Sequence, residues 1–251
     1  MIEAKKFDEK FYDSQADGSY NSALVVLPIV DELIHPRSVL DVGCGVGTWL
    51  KVWKENLGVE DVIGIDGDYV SRESLRIPQN LFDGRDLKLP FDLGRKFDLA
   101  MSVEVGEHLP IGSAGTLVDN LVKHADLVVF SSANLQQSGT YHINEQPPEF
   151  WAKLFTERNY VPVDIIRDEI WNDDRVEWWY RQNIIVYTNR NILHQFPALE
   201  EKAKHTFSDC LFRIHPLLWK YRNEEVDERS QWLSFLRWKL SSLRKNLFSN
   251  K

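Results

Sequence analysis

A histidine, two amides and a carboxylate fall within five positions of one short stretch, residues 139–151, which reads GTYHINEQPPEFW. His142 can take up or release a proton near neutral pH. Asn144, Glu145 and Gln146 offer donors and acceptors that orient either a polyhydroxyl compound or the histidine itself. The mechanical alternative is a plug of buried amides that satisfies the backbone of a loop. A second group lies in SVEVGEHLP, residues 102–110, which holds Glu104, Glu107 and His108. His108 is the second candidate for a general base, after His142, and Glu107 stands beside it. Glu104, Glu107, His108 and His142 also make a set of two carboxylates and two imidazoles. Such a set suits Mg, Mn, Fe or Zn with little choice between them. The plainer reading has Glu107 and His108 capping a helix or lining a wall.

The third group is VLDVGCGVGTWL, residues 39–50. Gly43, Gly45 and Gly47 permit a tight turn and let a ligand lie against the backbone. Their GxGxG spacing differs from the GxGxxG of dinucleotide enzymes. Asp41 precedes them, and a carboxylate there repels a pyrophosphate but suits a ligand bearing an amino group. Asp66, in VIGIDGDYV, lies 19 residues after Gly47. An acid at such a strand end hydrogen-bonds ribose hydroxyls.

The elements that must position these groups alternate. SVLDVG (38–43), DVIGID (61–66), FDLAMS (97–102) and ADLVVFS (125–131) are short apolar runs bounded by Gly, Asp or Ser. They read as strands buried on both faces. Helical segments fall between them at 47–57, 68–76 and 112–124, and a further helix over 14–34 leads into the first strand. YVPVDIIR (160–167) and RQNIIVYT (181–188) read as two later strands. Strand and helix alternating at this spacing predict βαβ units in a doubly wound sheet, whose ligands bind at the carboxyl ends of the strands.

The glycine string with its later segments in order resembles the class I S-adenosylmethionine-dependent methyltransferases, over about 70% of the chain, residues 11 to 188. That resemblance implies a Rossmann-like α/β fold with a mostly parallel seven-stranded sheet flanked by helices. It implies S-adenosylmethionine as cofactor and S-adenosylhomocysteine as product. Asp41, Gly43, Gly45, Gly47 and Asp66 match the family's cofactor-binding positions. Asp86 and Leu87, in GRDLKLPF, match the segment that flanks the adenine, and Glu104 matches an acid that faces the cofactor's amino group. The Glu-x-x-Glu-His pattern resembles the metal site of small-RNA 3′-terminal 2′-O-methyltransferases and of ubiquinone-pathway O-methyltransferases. In the RNA enzymes a further histidine comes from a later loop, which His142 would supply. A divalent metal is compatible with that pattern but is not expected. HINEQPPEFW, together with WWYRQNIIVY at 178–187, resembles segments of methyltransferases of bacterial polysaccharide and glycan biosynthesis. The acceptor implied is a hydroxyl of a sugar or related polar compound in surface polysaccharide or capsule assembly. The alternatives are a metal-dependent 2′-O-methyltransferase of an RNA end and a non-catalytic cofactor-binding scaffold.

Composition narrows the partners. The net charge is −8, yet residues 190–251 hold 12 of the 30 basic residues and only 7 of the 38 acids. An acidic body is poorly matched to nucleic acid, so a small-molecule or glycan acceptor is expected instead. Cys44 and Cys210 are too few and too far apart for a disulfide framework, which points to a reducing compartment. The opening MIEAKKFDEKFYDSQ has no apolar core of a signal peptide, and the expected location is cytoplasmic. We expect a methyltransferase domain over 1–189 and a basic helical extension over 190–251. Within that extension, residues 231–251 place Trp232, Phe235, Leu236, Leu240, Leu243 and Leu247 on one side of a helix, with five basic residues and no acid. Such a helix either lies on the anionic inner face of a membrane or packs on the body or a second subunit in a homodimer.

Overall fold

The computed structural model describes residues 9–224, with side chains from Asp17 onward. Seven strands form one sheet: β1 (Ser38–Val42), β2 (Asp61–Asp66), β3 (Phe82–Gly84), β4 (Leu99–Val103), β5 (Leu127–Ser131), β6 (Tyr160–Val163) and β7 (Ile185–Asn189). Their order is β3-β2-β1-β4-β5-β7-β6. All neighbours are parallel except β7, which runs antiparallel to both β5 and β6. The helices are α1 (Glu9–Ile34), α2 (Thr48–Glu55), α3 (Ala114–His124), α4 (Pro148–Thr156), α5 (Ile166–Ile170), α6 (Trp178–Asn183) and α7 (Pro197–Ala203).

The strands are mostly apolar because both faces of the sheet are covered. Successive side chains point to opposite faces and join separate cores. Val39, Leu99, Met101, Leu127 and Val129 pack with Leu27, Leu50 and Trp53 of α1 and α2. Leu40, Val42, Ala100, Val128 and Phe130 pack with Leu117, Leu121, Trp151 and Phe155 of α3 and α4. The expected mostly parallel seven-stranded sheet is therefore present, and its carboxyl edge gathers the ends of β1, β2, β4 and β5.

Three expected elements differ. The strand expected over 160–167 stops at Val163. Asp164 and Arg167, both buried, form a two-bond ion pair at 2.8 Å, and closing it across three residues needs a helical turn, here α5. The strand expected from Arg181 begins at Ile185, because Arg181, Gln182 and Asn183 close α6. Arg167 also donates to the Gln182 carbonyl at 2.9 Å, which ties the end of α6 to α5. The helix expected over 68–76 is instead an irregular segment with one 3-10 turn at Arg72–Ser74. The three-residue β3 carries too few positions for a period to register in the sequence.

One compact unit ends at Arg213 and a second begins at Ile214. The sheet and α7, which contacts β6, belong to the first. The second holds a helical stretch over 216–224, and the helix expected over 231–251 lies outside the described residues.

Candidate active site

The glycine loop follows β1 with all three glycines at positive φ: Gly43 at 88°, Gly45 at 53° and Gly47 at 81°. At Gly43 a side chain is also excluded by space, since a Cβ would fall 2.3 Å from Val105 Cγ2. Asp66, at the end of β2, holds this loop in place. Its Oδ2 accepts the Gly45 N–H at 2.7 Å, and its Oδ1 accepts the Gly67 N–H at 2.7 Å and the Tyr69 hydroxyl at 2.8 Å. Burial pushes the Asp66 carboxyl up, and those three donors oppose the shift. Asp41 lies beside it at 3% exposure, and none of the described residues donates to its carboxylate. Burial, and then the Asp66 charge, push Asp41 up to about 8. Leu87 is buried in the core, whereas Asp86 is exposed and accepts the Lys88 N–H at 3.0 Å.

Glu104 follows the last residue of β4 and lies in the left-handed region, at φ 55°. Its N–H is shared by the Ser131 carbonyl and hydroxyl, each at 3.0 Å. Its carboxyl receives Asn183 Nδ2 at 3.2 Å and Gln137 Nε2 at 3.3 Å. Glu107 is fully buried. Its Oε2 accepts from Ser132 at 3.0 Å, while Oε1 has no hydrogen-bond partner among the described residues. Burial raises both glutamates, and the Glu107 charge adds to the shift at Glu104.

The 139–146 loop is sewn onto this edge. The Ile143 and Asn144 N–H groups donate to the Glu107 carbonyl at 2.9 and 3.0 Å. Asn144 Nδ2 donates to the Gly106 carbonyl at 3.1 Å, and Gln146 donates to Asn144 Oδ1 at 3.1 Å. Those two amides hold the loop. Glu145 does something different: its Oε1 lies 2.9 Å from His142 Nδ1, which leaves Nε2 of that ring for a ligand. The imidazole of His108 stands edge-on to that of His142, with ring centroids 5.1 Å apart. Burial, and then the His142 charge, lower His108 to about 4, against the pull of the Tyr141 carbonyl. His108 is thus neutral at physiological pH.

Glu107, His108 and His142 each bring one ligand atom to within 4.8 Å of the others. Glu104 is not part of that group; its carboxyl lies near Glu107 and receives the Asn183 and Gln137 amides. Sequence reasoning missed Gln137, Asn183 and Ser132, the residues that engage the two glutamates. Asn183 was visible only as part of an expected strand. Tyr20 and Ser22, which an amino-terminal helix could fold over a cofactor, lie in α1. Ser22 is fully buried, donates to the Gly18 carbonyl at 2.7 Å and accepts the Glu177 N–H at 2.9 Å, so it joins α1 to the turn before α6. Tyr180 is buried edge-on against Trp49 and offers no stacking face.

The family model described as "Methyltransferase domain" matches residues 12–181. The chain belongs to that family. No curated protein matches it in sequence. Among solved structures, the sugar N-methyltransferase KedS8 from Streptoalloteichus sp ATCC 53650 is 16% identical, covering 72% of this chain and 92% of that chain with a TM-score of 0.56. The plantazolicin methyltransferase BpumL, in complex with a pentazolic desmethylPZN analog and SAH, is 16% identical over 74% of this chain and 91% of that one, with a TM-score of 0.54. The methyltransferase domain of bacterial CtHen1-C is 19% identical over 68% and 98%, with a TM-score of 0.52. These likenesses show the Rossmann-like class I methyltransferase fold. This methyltransferase is a transferase of the EC 2.1.1 class, with S-adenosylmethionine as cofactor.

The residues present fit that cofactor. Asp41 is a buried carboxyl to which none of the described residues donates, and a Cβ at Gly43 would collide with the Val105 side chain. Asp66 has one acceptor position left after its three internal donors, enough for a ribose hydroxyl. Binding a cation at Asp41 requires the ionised carboxylate. Cofactor affinity is therefore expected to rise with pH up to about 8, by at most about tenfold per pH unit, with one proton released on binding. Calorimetry in buffers of different ionisation enthalpy measures that proton directly. The cofactor-free fold responds in the opposite sense. A carboxyl raised in the folded state adds stability below its unfolded pKa, and that stability is lost as pH rises through about 8.

Proposed function

We propose that this methyltransferase O-methylates a hydroxyl of a sugar or related polar acceptor, with His142 as the general base. The bound cofactor supplies an electrophilic methyl group on a sulfonium. A hydroxyl attacks well only as its proton leaves, and a neutral imidazole within hydrogen-bond reach can take it. The observation that carries this reading is the 2.9 Å contact from Glu145 to His142 Nδ1. It fixes the ring and keeps Nε2 as the proton acceptor, the arrangement of a base oriented by a third group. The resemblance of HINEQPPEFW to glycan-pathway methyltransferases supports a sugar acceptor, in surface polysaccharide or capsule assembly. KedS8 is by its name a sugar N-methyltransferase. An RNA end is disfavoured, because no lysine or arginine occurs between Lys123 and Lys153, the stretch that carries β5 and the His142 loop. A methyl-transfer screen against monosaccharides, oligosaccharides and nucleotide sugars tests the reading. Transfer to amines and to no hydroxyl would overturn it. The same screen separates the scaffold alternative, which requires no turnover with any acceptor.

A second reading is favoured by one observation, the convergence of Glu107, His108 and His142 within 4.8 Å, next to the unpartnered Glu107 Oε1. These three would hold a divalent metal and leave a coordination position for the acceptor oxygen. Glu145 would then support a ligand rather than a base. Under the general-base reading, a chelator leaves the transfer rate unchanged. Under the metal reading, it abolishes transfer and an added divalent ion restores it.

No described helix is long and apolar enough to cross a membrane. We infer a cytoplasmic enzyme whose residues 231–251 either lie on the anionic inner face of a membrane or pack on the body or a second subunit. Sedimentation with anionic vesicles tests this, and equal sedimentation with and without that segment would leave docking on the body or in a homodimer.

A further inference from the structure

We propose that Tyr141 and Ile143, on either side of His142, form the platform on which the acceptor lies, and that this acceptor is an uncharged hydroxyl compound with an apolar face. This rests on the reading of His142 as the residue that meets the reacting hydroxyl.

Tyr141 is 41% exposed and Ile143 is 60% exposed, while the His142 side chain between them is only 13% exposed. Two large apolar groups thus face outward around a shielded base. They are held in place from behind. The Tyr141 carbonyl lies 3.4 Å from His108 Nδ1, and the Ile143 N–H donates to Glu107. Gly139 completes the wall, packed so closely on the imidazole that a Cβ there would fall 2.3 Å from it.

The backbone is strained to produce this surface. Gln136, Ser138 and Tyr141 have φ of 61°, 61° and 62°, left-handed values that non-glycine side chains disfavour. Such conformations persist only where the surroundings enforce them. At Tyr141 the strain sets an aromatic ring beside the base and half in solvent. Covering such a surface with an apolar face removes it from water and fixes the acceptor at the same time. Charge points the same way. The loop brings Glu145, 2.9 Å from His142 Nδ1, and no lysine or arginine occurs between Lys123 and Lys153. A phosphate here would meet like charge, whereas the C–H face of a sugar ring or an aryl group would not.

The test uses the full chain loaded with S-adenosylhomocysteine and compares a set of phenyl glycosides, the free sugars and UDP-glucose by calorimetry. Phenyl glycosides are expected to bind more tightly than the free sugars and UDP-glucose. Tyr141→Asn removes the ring but keeps a residue that tolerates the left-handed region. Ile143→Ser removes the apolar surface but keeps the N–H. Each is expected to weaken phenyl glycoside binding at least about fivefold and to leave product affinity within about twofold, the loss expected for part of one apolar contact. Absence of phenyl glycoside binding, equal binding by both variants, or tighter binding of UDP-glucose would overturn the proposal. The underlying reading fails differently: phenyl glycosides would bind in a Tyr141-dependent manner, yet His142→Ala would transfer methyl groups to them at the wild-type rate.

Discussion

Replacing His142 with alanine is expected to lower turnover at least about 100-fold, the lower end of what a general base contributes, which is about 2.7 kcal/mol of barrier. Cofactor affinity is expected to stay within about twofold, because among the described residues the proposed cofactor-binding set of Asp41, Asp66 and the glycine loop makes no hydrogen bond to this ring, which pairs with Glu145. The structural cost is small, since the loop is held mainly by backbone bonds to Glu107 and by Asn144, none of which uses the imidazole. Glu145→Gln is the companion variant. It keeps an oxygen that can accept from Nδ1 but removes the charge that favours the protonated ring, so a smaller loss is expected. Single-turnover rates with saturating acceptor measure both. Near-normal turnover in His142→Ala would make the histidine a loop fastener. A loss accompanied by a bound metal in wild type and none in the variant would instead move the role to metal ligation.

Replacing Asp66 with alanine is expected to weaken S-adenosylmethionine binding about 100-fold, or about 2.7 kcal/mol. The carboxylate has two jobs. It accepts the Gly45 N–H, and so sets the glycine loop, and in the proposed cofactor site it would accept a ribose hydroxyl. Hydrogen bonds to a charged group contribute about 1.5–3 kcal/mol each, and truncation also strands the Gly45 N–H and the Tyr69 hydroxyl. Lower melting temperature is therefore expected beside the weaker binding. Asp66→Asn keeps one acceptor oxygen and is expected to fall between the two. Calorimetry with cofactor and product gives the affinity, and unchanged binding in Asp66→Ala would remove this residue from the cofactor site.

The elements most legible in the sequence are those with their own period. β1, β2, β4 and β5 lie where apolar runs end in Gly, Asp or Ser, and α2 and α3 lie between them. The errors cluster where a specific polar contact outweighs the apolar pattern. Ile165 and Ile166 extend an apolar run, yet the Asp164–Arg167 pair folds that segment into α5. Arg181, Gln182 and Asn183 precede an apolar strand, yet the Arg167 bond to the Gln182 carbonyl keeps them in α6. That turn aims Asn183 at Glu104.

By itself the sequence determined the class of sheet, the glycine loop with its two acids, and which residue types could move a proton or bind a metal. Each of these is written in spacings of a few residues, which backbone geometry translates directly. Only the tertiary structure decided how those residues meet. It paired His142 with Glu145, stood His108 against it, left Glu107 Oε1 without a hydrogen-bond partner among the described residues, and turned Glu104 toward Asn183, 79 positions away. Ser132 reaches Glu107 across 25 positions, and Gln137 reaches Asn183 across 46. Contacts of that span depend on strand order and loop path, which no local period records.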